Sequence, residues 1–192
     1  MIRQFLPAAI LLVILSSVQI LTAQNVDGDE EYSVYRDLIS MLYGDNHTVQ
    51  FALEKRIRPK QDEAATRKYL AKKLSISADI LDAYVEANRS ESELMNNFGL
   101  RSKIHLIDDA GMRRLWNAAG DSAEEVWKAF REEYQTFGVI TLSRVGFNRT
   151  RSTALIELGE QTGWLGGEGT YYLMKKERGR WIVRKKLCSW IS

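Results

Sequence analysis

Apolar residues recur along this chain with two distinct periods, helical in the first part and alternating in the last. Tyr32, Tyr35, Leu38, Ile39 and Leu42 fall at three- and four-residue steps, one stripe of a helix that Gly44 ends. Asp45 to Thr48 read as a turn, after which Val49, Phe51 and Leu53 alternate with polar residues as a half-buried strand running toward Ile57. Pro59 closes it. Ala64 to Leu74 form a basic, weakly amphipathic helix, and Ser77 caps a second with Ile80, Leu81, Tyr84 and Val85 on its apolar face. Glu91 to Phe98 add a helical turn or two, and Lys103 to Ile107 return to strand alternation.

Asp108 and Asp109 suit a helix N-terminus, with Met112, Leu115 and Trp116 following at helical spacing until Gly120. Asp121 or Ser122 caps the next helix, whose stripe is Val126, Trp127, Phe130 and Tyr134. After Gly138 the period becomes two. Val139 to Phe147, Thr153 to Leu158, Thr170 to Lys176 and Trp181 to Ile191 predict four strands. Their turns are Asn148-Arg149, Gly163 to Gly169 and Arg178-Gly179-Arg180, short enough to force antiparallel neighbours. The expected fold class is α+β: N-terminal helices and short strands, then a curved four-stranded antiparallel meander with the helices on one face.

The N-terminus changes the picture of where the protein works. Arg3 heads an apolar run from Phe5 to Leu15, and Leu21-Thr22-Ala23 ends in a small residue, the pattern of a signal peptide cleaved after Ala23. An uncleaved anchor from Phe5 to Leu21 is the competing reading, weakened by Pro7, Ser16, Ser17, Gln19 and the polar run that follows. No cysteine near Ala23 suggests a lipoprotein. The sequence thus divides into a signal peptide, 1–23, and a single domain, 24–192, exported to the periplasm or beyond, with no stable membrane span once cleaved.

Cys188 is the sole cysteine, so no internal disulfide can form, and its place in an apolar strand predicts a buried small side chain. The net charge of +2 conceals an asymmetry. Residues 24 to 140 carry 16 Lys or Arg against 21 Asp or Glu, whereas residues 141 to 192 carry 10 against 4. Internal pairing of basic sheet with acidic helices explains this more simply than an anionic partner, and no nucleic-acid motif is present. Lysines on the last two strands also suit edge protection. The sequons at Asn46, Asn88 and Asn148 are read as silent.

Candidate chemistry is sparse. Gly163 to Gly169 lies between strands rather than opening a helix, so it reads as a hairpin connection with positive φ angles, not a phosphate loop. His47 and His105 lack the spaced partners of a metal site, and no nucleophile motif accompanies Cys188. No cofactor, metal or catalytic residue is assigned. Trp164, Glu168, Tyr171 and Glu157 are the candidate binding residues. Trp164 is a large aromatic on a loop. Glu157 lies between Ile156 and Leu158, where alternation sends it outward; turned inward it would need a basic partner such as an arginine from an adjacent strand.

The segment Ile140 to Ser192 carries Ser143-Arg144-Val145-Gly146-Phe147-Asn148, Ala154-Leu155, Gly166-x-x-Gly169, Tyr171-Tyr172-Leu173, Lys175-Lys176, Gly179-x-Trp181 and Trp190-Ile191-Ser192. In this it resembles a family of uncharacterised secreted bacterial proteins. The resemblance implies export and the sheet, and no activity. Its members often carry cysteines around the glycine loop, which are lacking here. Helices followed by a curved antiparallel sheet are also similar in architecture to nuclear-transport-factor-2-like domains. The reading is a non-enzymatic exported binding or interaction domain for an unknown ligand or protein partner. A small pocket hydrolase or isomerase and a secreted enzyme inhibitor are its alternatives.

Overall fold

A computed structural model describes residues 28–60, 64–120 and 122–192, so the signal-peptide reading lies outside the described residues. The first described helix, α1, spans residues 28–43 and ends at Gly44, whose φ of +81° and N–H bond to the Ser40 carbonyl at 3.0 Å make a left-handed cap. Then follow β1 (Gln50–Glu54), β2 (Arg56–Ile57), α2 (Ala64–Leu74), α3 (Ala78–Ala87), β3 (Ser92–Glu93) and β4 (Lys103–Ile107). Next come α4 (Asp109–Ala119), α5 (Ala123–Tyr134), β5 (Val139–Leu142), β6 (Gly146–Phe147), β7 (Thr153–Gln161), β8 (Gly167–Glu177) and β9 (Arg180–Ile191). Asp108 caps α4 through Gly111 N–H at 2.7 Å, and Ser122 caps α5 through Glu125 N–H at 3.4 Å.

The fold is mixed α+β with a large, mostly antiparallel sheet, in the order β4-β1-β5-β7-β8-β9, with β6 beside β7. β1 lies parallel to both β4 and β5, whereas β5, β7, β8 and β9 are antiparallel neighbours. Three details differ from the sequence expectation. Strand Val139 to Phe147 is interrupted after Leu142, segment 91–98 contributes β3, paired with β2, instead of a helical turn, and the helices cover both faces of the sheet.

The two-sided covering follows from the side-chain alternation of the central strands. One face carries Phe51, Leu53, Ile140, Ala154, Ile156, Leu158 and Met174 against Val34, Tyr35, Leu38 and Ile39 of α1. The other presents Ala52, Ile107 and Val139 to Leu115, Val126, Trp127 and Phe130, and Leu155 to Leu70, Ile80, Leu81 and Tyr84. Acidic residues of α1 meet basic residues of the C-terminal segment: Glu30 pairs with Lys176 at 2.8 Å, Glu31 with Arg144 at 2.8 Å, and Asp37 with Arg180 at 3.1 Å. Much of the charge asymmetry is therefore consumed inside the fold.

Several residues of the segment 140–192 have architectural work. Arg144 and Val145 N–H both bond the buried Glu31 carboxylate. Gly146 lies against the backbone of Tyr84, Asn148 accepts from the Ser152 and Thr153 N–H groups, and Gly179 turns β8 into β9 at φ +80°. Trp181 donates its backbone N–H to Asp37 at 2.7 Å and its indole N–H to Glu30 at 2.9 Å. Asn88, fully buried, bonds the Tyr84 carbonyl and both backbone groups of Arg144, so its sequon is closed in the folded protein. Cys188 is exposed, contrary to expectation, because β9 is an edge strand.

Candidate functional site

The face of the sheet opposite α1 holds a groove between α4 and the extended segment 56–60. In that segment Arg56, Arg58 and Lys60 alternate with Ile57 and Pro59, while Ile57 turns into the α1-side core. Two adjoining cavities, of about 420 and 110 Å³, share Glu54 and Arg58 in their lining. Their floor includes Val139, Thr141, Gly159 and Gln161. The groove is electrically balanced: Arg56, Arg58, Lys60 and Arg113 line it with Glu54, Asp108, Asp109 and Glu157. Arg58 lies 2.7 Å from Glu54 and 3.4 Å from Asp109, and Arg56 lies 3.1 Å from Asp109.

Three tryptophans mark the rim. Trp116 lines the larger cavity and Trp190 the smaller. Trp164 packs edge-on against Trp116, with centroids 6.3 Å apart and planes at 74°, yet stays 64% exposed beside Leu165 at 78%. A contiguous exposed apolar patch of this kind marks a contact surface far better than scattered exposed residues do.

Glu157 sits at the bottom of the smaller cavity, only 4% exposed, so the outward expectation is corrected. β7 is covered on both faces, and alternation cannot bring any of its central residues to solvent. The basic partner is Lys60, 3.0 Å away, not an arginine on a neighbouring strand. Ser189 Oγ donates to one carboxylate oxygen at 2.5 Å, and the Tyr84 hydroxyl donates to the other at 3.5 Å. Tyr171, opposite Glu157 in the β7–β8 register, is pushed up to about 12 by burial and then by the charge of Glu157. Burial, followed by the same charge, also raises Tyr84 well above the ordinary phenol range. Both carboxylate oxygens of Glu157 are thus occupied, which suits a structural anion better than a free general base.

The glycines expected to supply positive φ do something else. None of Gly163, Gly166, Gly167 and Gly169 is in the left-handed region. Gly159, Gly167 and Gly169 form a shelf on which Trp190 lies: a Cβ at Gly169 would fall 2.0 Å from the indole nitrogen, and one at Gly167 3.0 Å from Cζ3. A register shift between Gly169 and Thr170 places an extra residue, Ser189, in β9. Such a bulge re-aims side chains, here letting Ser189 reach Glu157 while Trp190 covers Gly169.

The four candidates therefore separate. Glu157 and Tyr171 come together below the groove and Trp164 stands on its rim, whereas Glu168 lies on the α1 side opposite Glu160. Lys60, Arg58 and Trp116 were not singled out. The two-residue spacing of Arg56, Arg58 and Lys60 was the available signal for the cations, while Trp116 reads as core because it neighbours Leu115 in a helical stripe. His105 accepts or donates one hydrogen bond to Gln50 at 3.0 Å, and burial lowers its pKa.

Among the described residues Glu160 is the one carboxyl whose burial, with the charge of Glu168 second, raises its pKa above 4.5. A raised folded-state pKa gives stability that is full below the unfolded value and lost as pH rises through the folded one. Glu160→Gln is therefore expected to melt above the parent protein at pH 7 to 8 and to converge with it below about pH 4.5 in a thermal series. Equal differences at all pH values would show that the carboxyl's ionisation carries no such penalty.

Among the described residues no cluster of three His, Cys, Asp or Glu side chains gathers to hold a metal, and no helix is long and apolar enough to cross a membrane. Compared with known protein families, curated proteins and solved structures, the chain shows no match.

Proposed function

We propose that this is a non-enzymatic, exported binding domain whose groove accepts a neutral polyhydroxylated chain, an oligosaccharide being the chemistry of best fit. The exposed Trp164 indole, propped edge-on by Trp116 at the mouth of the groove, carries this reading. A sugar ring presents an apolar face to an indole and hydroxyl edges to polar side chains. The ion-paired arginines and carboxylates of the groove offer donors and acceptors without a net field that would select a polyanion. The N-terminal pattern and the resemblance of Ile140–Ser192 support export, with β5, β7, β8 and β9 as the curved meander.

The test is isothermal titration with neutral chito-oligosaccharides. Trp164→Ala is expected to weaken binding at least about tenfold, the loss of one aromatic anchor, while leaving the melting temperature unchanged. Failure of every neutral oligosaccharide to bind, or an unaltered affinity in the variant, would overturn the assignment. The pocket-enzyme alternative places its acid at Glu157 and requires that Lys60 or Ser189 release that carboxylate; turnover abolished in Glu157→Gln with folding intact would favour it.

A further inference from the structure

β1 and β5 pair only through Ala52–Val139 and Leu53–Ile140. Upstream the two strands part, and the gap is a cavity of about 470 Å³ walled by Tyr43, Phe51, Phe137, Val139 and Ile140, with Glu160 among its polar groups. Tyr43, in the last turn of α1, packs its ring at a tilt against Phe51, centroids 5.7 Å apart, and donates its hydroxyl hydrogen to Glu160. Phe137 stands at 87% exposure in the lining. This volume falls in the range of small-molecule sites, which are mostly apolar with a few placed polar groups.

Glu160 is the one charged side chain of this lining, and Glu168, exposed, lies beside it outside the lining. Glu160 and Glu168 are direct cross-strand partners, an arrangement in which like charges repel. Among the described residues no Lys, Arg or His forms an ion pair with either, in contrast to the balanced groove on the other face. Half-burial and the neighbouring carboxylate both work against ionisation of Glu160. A cation placed beside the pair removes the repulsion, and the rings of Tyr43, Phe51 and Phe137 provide the apolar and cation–π surroundings that organic ammonium groups favour.

We propose that this cavity is a second ligand site, for a small molecule with a cationic amine on an apolar body, whose ammonium is held by Glu160, with the carboxylate of Glu168 on the neighbouring strand adding to the attraction. It does not rest on the groove reading: the cavity and the groove share only Val139 in their linings and ask for different ligands, one cationic and one neutral.

Three probes that differ mainly in charge test it by isothermal titration: 3-phenylpropylammonium, 3-phenylpropanol and 3-phenylpropanoate. The ammonium is expected to bind at least about tenfold more tightly than the alcohol at pH 7.5, the worth of one partly buried charge pair, with the carboxylate weakest. Glu160→Gln should bring the ammonium down to the affinity of the alcohol, and Phe137→Ser should weaken both alike. Saturating oligosaccharide should leave these affinities unchanged. An alcohol that binds as tightly as the ammonium, an ammonium affinity indifferent to Glu160→Gln, or no binding by any probe would overturn the site.

Discussion

Gly146→Ala is expected to destabilise the fold by about 3 kcal/mol or more, the upper end of the usual overpacking range. A Cβ there would lie 2.5 Å from the N, Cα and Cβ of Tyr84, so it meets the body of helix α3 and not the end of a flexible side chain. Neither partner can retreat cheaply. β6 is held to β7 through Gly146–Leu155 and Phe147–Ala154, and α3 is tied to the same loop by the two bonds of Asn88 to Arg144. For a domain of this size a melting temperature lower by roughly 6–12 °C should follow. Gly169→Ala is the informative comparison: its Cβ would come closer, at 2.0 Å, but to the half-exposed ring of Trp190, which can swing away. A smaller loss at Gly146 than at Gly169 in calorimetry would refute the claim that backbone proximity decides the outcome.

Glu31→Ala should be comparably damaging, at about 3 kcal/mol, the low end for breaking a buried charge pair. The carboxylate is 6% exposed and accepts from Arg144 Nε at 2.8 and 2.9 Å, from Val145 N–H at 2.9 Å and from Tyr35 OH at 2.8 Å. Tyr35 keeps a second acceptor in the Ser143 carbonyl at 3.0 Å, and the partly exposed Arg144 can regain water. The Val145 N–H has no such recourse, and an unsatisfied buried donor accounts for a large share of the loss. In a denaturant series the double variant with Arg144→Ala should cost clearly less than the two single losses together. Strict additivity would mean that Glu31 and Arg144 act separately.

Helix stripes were the most legible part of the sequence. Val126, Trp127 and Phe130 are buried as their spacing requires, and Asp108 and Ser122 cap the helices they precede. What alternation could not convey was how many layers surround a strand. β7 reads as half-exposed if helices lie on one face only; with α1 on the other side, every residue from Ala154 to Gly159 is buried, and Glu157 becomes an internal anion. The partner of that anion, Lys60, arrives from a segment remote in sequence, a proximity created by the parallel placement of β1 beside β5. Local periodicity holds no information about such a crossover. Trp164 was legible, because a bulky aromatic among glycines has little to bury itself against. Trp116 was not, since only the docking of α4 decides which of Leu115 and Trp116 faces inward.

The pairing of α1 with the far end of the chain bears on the order in which the molecule can assemble. Glu31 meets Arg144, Glu30 meets Lys176, and Asp37 meets Trp181, so the acidic residues of the first described helix draw their partners from residues made more than a hundred positions later. Contacts so distant along the sequence close large loops and slow the search for the native topology. A chain emerging N-terminus first carries the apolar face of α1 with little of the sheet beyond Phe51 and Leu53 of β1 to receive it until β5 and β7 are made, and β8 and β9 close the cluster with Met174 and Trp181. The whole domain, and not its helical half, is thus the unit that must be complete before its core can close.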